Sequence, residues 1–76
     1  MKPEVQQILN AMKDDPRIKA IVLQIIRMSS EERESFRKKV TYYFMNKNSE
    51  VDIEAFKFFK VVLENIEELS EAIEQE

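Results

Sequence analysis

The chain has 76 residues, 36% of them charged, with no glycine, cysteine or histidine and a net charge of −3. One small domain is the most this length allows, and without cysteine or histidine it has neither disulfides nor a Cys/His zinc site to brace a thin core. Missing glycine removes phosphate-binding and dinucleotide-binding loops and the primed turns of tight hairpins, so the expectation is all-α.

The first helix is expected over about 3–13. Pro3 suits its first turn, Glu4 favours the positive end of its dipole, and Val5, Ile8, Leu9 and Met12 form an apolar stripe at helical spacing. Asp15-Pro16 reads as an N-cap followed by a preset first helical residue. It opens a second helix over about 16–28 that buries Ile18, Ile21, Val22, Ile25 and Ile26. The β-branched content of this stretch leaves a buried strand as the alternative, which its length and Asp15-Pro16 disfavour.

Ser29 to Glu32 has the spacing of a capping box and starts a third helix over about 30–46, with Phe36, Val40, Tyr43 and Phe44 on one face. Asn46-Lys47-Asn48-Ser49 follows as a turn in which an asparagine takes the left-handed position. Asp52 is the preferred cap of the fourth helix, with Val51 and Phe56 as its hydrophobic staple and Ser49 as the competing cap.

The fourth helix, about 53–75, is the longest. Ala55, Phe59, Val62, Ile66, Leu69 and Ile73 alternate at spacings of four and three, and phenylalanines and a leucine widen the seam where a zipper carries charges. That width suits a helix packed on several neighbours, so the expected architecture is a compact bundle of four helices with a long C-terminal helix, forming a single domain over 1–76. Glu71, Glu74 and Glu76 crowd its end, where negative charge opposes the dipole and favours fraying.

Catalysis is not expected. The usual neutral-pH base and thiol nucleophile are missing, and the paired carboxylates among Glu64, Glu67, Glu68, Glu71 and Glu74 lie opposite the seam, facing water. No cofactor, metal or small-molecule substrate is expected. Phe44, Phe56, Phe58 and Phe59 read as core, not as the lining of a ligand cavity. With no targeting segment, no apolar run long enough to span a bilayer and no cysteine, the expected location is cytoplasmic.

Charge is uneven. Residues 1–47 hold ten Lys/Arg against six Asp/Glu, or +4, while residues 48–76 hold two against nine, or −7. Arg33, Arg37, Lys38 and Lys39 on the third helix are candidate nucleic-acid contacts, but Glu31, Glu32 and Glu34 at the leading end present the wrong sign to phosphate. Glu34 also stands one turn before Lys38, a favourable helix pair.

Protein partners are the stronger expectation. Tyr42 and Met45 lie off the apolar face of the third helix beside Lys38 and Thr41. Ile66, Leu69, Ala72 and Ile73 form a stripe expected to overhang the three shorter helices, which a second copy covers at least cost, with packing of the first helix there as the alternative. The expected function is a non-catalytic helical protein–protein interaction module, self-associating through its C-terminal helix. The alternative is a small nucleic-acid-associated regulator.

Overall fold

The computed structural model of the chain describes residues 1–75, leaving Glu76 and its expected part in terminal fraying outside the described residues. Five helices occur among these residues, and no strand: α1 (Pro3–Asp14), α2 (Pro16–Ile26), α3 (Ser30–Phe44), α4 (Glu50–Glu64) and α5 (Ile66–Glu74). The all-α class holds. The single long C-terminal helix does not, because the chain turns at Asn65.

Local chemistry explains most boundaries. Pro3 and Pro16 occupy the opening turns of α1 and α2, where a missing N–H costs nothing. Asp15 caps α2, its Oδ1 accepting from the Arg17 amide at 2.9 Å. Ser29 and Glu32 complete the expected capping box at α3: the Glu32 amide donates to Ser29 Oγ at 3.2 Å, and the Ser29 amide to Glu32 Oε1 at 2.8 Å.

Two turn expectations are corrected. Ser49, not Asp52, caps α4: Oγ accepts from the Asp52 amide at 3.1 Å and donates to the Asp52 carboxylate at 2.6 Å. The helix thus starts three residues earlier than expected. No described residue has positive φ, so neither Asn46 nor Asn48 adopts the left-handed position. The turn between α3 and α4 is instead held by the Lys47 amide donating to the Phe44 carbonyl at 3.1 Å.

The main core joins Val5, Ile8, Leu9 and Met12 of α1, Val22 and Ile25 of α2, Val62 and Leu63 at the end of α4, and Leu69 of α5. Helix α2 uses a narrower face than its sequence suggests: Ile18 and Ile26 are half-buried, and Ile21 is exposed. Helix α3 stands apart from this cluster, with α4 as its principal packing partner. Of its residues only Val40 is buried, and on α4 burial is confined to Val62 and Leu63 at the far end. Phe58, Phe59 and Val61 of α4 pack half-buried against the core and Glu54 and Lys57 share a cleft with α1, so it is the turn end of the α3–α4 hairpin that projects past the core. The molecule is compact as expected, with a radius of gyration of 12.4 Å.

Candidate protein-interaction surface

Aromatic packing holds the hairpin together. Phe36 meets Phe59 edge-on at 5.7 Å between ring centroids, and Phe44 lies 5.7 Å from Phe56 and 6.4 Å from Phe59. Phe58 packs edge-on against Phe59 at 5.4 Å. The phenylalanines thus pack on one another, with Phe36, Phe58 and Phe59 continuing into the main core.

Beyond these rings the hairpin runs out of neighbours. Tyr42 is 79% exposed, Met45 64%, Val51 78% and Ile53 54%. Of the seven large exposed hydrophobic side chains among the described residues, five, Tyr43 being the fifth, fall between residues 42 and 53 at this one end. On α3, Lys38, Thr41, Tyr42 and Met45 follow the i, i+3, i+4, i+7 pattern of one helix face, and all four are exposed. Tyr43, expected on the core face, is instead an edge partner of Phe44 at 4.8 Å, with the Lys47 ammonium 4.6 Å from its ring centroid. That pairing fixes the tyrosine ring across the turn and leaves its outer side bare.

Val51, Ile53 and Tyr43 were not among the expected interface residues. Misplacing the α4 cap hid the first two, because a start after Asp52 leaves Val51 outside the helix as a staple. The pattern Ser49-x-x-Asp52, a serine three residues before an acid, is the signal that locates the earlier start.

The C-terminal candidates lie elsewhere and are corrected as follows. Leu69 is fully buried in the chain's own core, and Ile66 and Ile73 are half-buried against it. The bend at Asn65 folds α5 back onto α1, so the stripe expected to overhang the bundle is covered by the same molecule. Ile73 shares a cleft with Leu9, Met12 and Lys19.

The basic residues of α3 divide. Arg33 is half-buried and its guanidinium donates to the Met28 carbonyl in the turn between α2 and α3, while Arg37 lies 3.6 Å from Glu34. Glu34 therefore pairs with Arg37 and not with Lys38 as spacing suggested. Lys38 and Lys39 remain on the exposed face. Two of the four candidate nucleic-acid contacts are thus engaged within the fold.

Near Asn65, Glu64, Glu67, Glu68 and Glu71 surround Lys2 in a shallow polar depression. No described group of His, Cys, Asp or Glu side chains is placed to hold a metal ion, and no described helix is long and apolar enough to cross a membrane. The perturbed carboxylates are structural. Asp15 sits below its ordinary pKa through the Arg17 side-chain hydrogen bond, and Glu32 through the Ser29 amide. No protein-family model, curated protein or solved structure matches the chain.

Proposed function

We propose that the chain is a non-catalytic, cytoplasmic protein–protein interaction module whose contact surface is the projecting end of the α3–α4 hairpin. What supports this reading is the concentration of Tyr42, Met45, Val51 and Ile53 at that end, outside both the core cluster and the aromatic packing. Scattered single apolar residues are ordinary on a surface. A cluster of tyrosine, methionine and aliphatic side chains bordered by lysine and glutamate has the composition of an interface centre with a polar rim.

The test is site-specific photocrosslinking in the cells that make the protein, with a benzophenone side chain in place of Tyr42 or Met45 and, as control, of Gln24 on α2. A discrete adduct of the same mass from both hairpin positions and none from position 24 supports the assignment. Indistinguishable adduct patterns from all three positions refute it.

A further inference from the structure

The seam Phe59, Val62, Ile66, Leu69 and Ile73 runs at unbroken helical spacing straight through the point where the helix stops. No proline or glycine accounts for the interruption, and Leu63, Glu64, Glu67, Glu68 and Leu69 are good helix formers. Asn65, at φ −130° and ψ 35°, is the one residue out of helical conformation.

Its side chain replaces the bond that a continuous helix makes there. In an unbroken helix the Asn65 amide N–H bonds the Val61 carbonyl, four residues back. Here Asn65 Nδ2 takes that carbonyl at 2.8 Å, and the backbone amide shifts to the Val62 carbonyl at 3.2 Å. Asn65 Oδ1 accepts from Lys2 Nζ at 2.9 Å, tying the bend to the start of α1. The bend is thus held by two side-chain bonds and by the docking of Leu69, against the local preference of the sequence.

We propose that Asn65 is a hinge, and that its release straightens residues 50–74 into one helix and passes α5 to a second copy of this chain. A straight helix of that span is about 37 Å long, as long as the whole molecule's greatest extent of 38 Å. On straightening, Ile66, Leu69 and Ile73 leave the bent arrangement in which they now pack with α1. The surface so vacated on α1 and the stripe so uncovered are complementary, because they are the two halves of the closed core. Only another α5 restores those contacts unchanged, so the occupant is a second copy, exchanged reciprocally.

The experiment compares molar mass by light scattering, over a wide concentration range, for wild type, Asn65→Leu, Lys2→Glu and the double variant Asn65→Leu/Ile66→Pro. Asn65→Leu removes both side-chain bonds and supplies a strong helix former. Lys2→Glu replaces the ammonium partner of Asn65 with a like charge among Glu64, Glu67 and Glu68. Each single variant is expected to double in mass as concentration rises, with helical circular dichroism retained. Ile66→Pro interrupts a continuous helix, because proline lacks the amide that helix needs and disfavours helical conformation in the residue before it, so the double variant is expected to return to monomer.

Spin labels at Glu54→Cys and Gln75→Cys, on one chain diluted into unlabelled protein, read the opening directly. The expected result is a longer distance in the Asn65→Leu dimer. Folded single variants that both stay monomeric overturn the proposal. So does a dimer that Ile66→Pro leaves intact, since that dimer forms through another surface.

Discussion

Side chains at helix starts do much of this molecule's local work, and two of them are carboxylates whose ionised form the fold favours. Asp15 and Glu32 are held ionised below their ordinary range, by the Arg17 side chain and by the Ser29 amide respectively. A carboxylate whose folded-state pKa is depressed contributes stability above its unfolded value, and loses it as pH falls through the folded one. The starts of α2 and α3 should therefore loosen below about pH 4 and not in the neutral range. Carbon-detected NMR titration is expected to show both carboxyls titrating late on acidification. Arg17→Gln should bring Asp15 back towards the ordinary aspartate value while leaving Glu32 unmoved. A variant in which Asp15 keeps its low midpoint would show that the arginine is not the cause.

Among the helices, α3 is the one with least to hold it. Its principal contact is with α4, and Val40 is its only buried residue, whereas α1 buries Val5, Ile8, Leu9 and Met12. Local opening follows burial, so amide hydrogen exchange is expected to be fastest over α3 and the first turns of α4 and slowest over α1 and the end of α4. Equal protection in α1 and α3 would contradict that ordering. The same elements explain what was legible in the sequence. Starts defined by a short polar side chain or a proline, at Pro3, Asp15 and Ser29, could be read directly because the cause lies within three residues. The α4 cap was ambiguous between Ser49 and Asp52, since both side chains suit the position and they bond each other. The break at Asn65 was invisible because one of its partners, Lys2, is 63 residues away. Tyr42 and Met45 were legible as residues off the apolar face, whereas Leu69 was misassigned because covering it requires that same distant bend.

At the scale of the whole molecule, one core of α1, α2, α5 and the end of α4 supports a projecting hairpin, and substitutions should divide accordingly. Leu69→Ala leaves a cavity in a core drawn from four helices and is expected to cost about 2–5 kcal/mol, a large share of the 5–15 kcal/mol typical of small domains. Val51→Ser, at the exposed end, should change stability by no more than about 0.5 kcal/mol. Urea denaturation of both variants measures the contrast, and comparable midpoints would mean that the hairpin end is packed after all. The bond between Lys2 and Asn65 has a practical corollary. Met1 is exposed immediately beside it, so a purification handle or fluorophore fused ahead of that methionine emerges at the elbow and can pry it apart. Recombinant material for sizing should carry its handle at the opposite terminus, or have it cleaved away, before a molar mass is ascribed to the native chain.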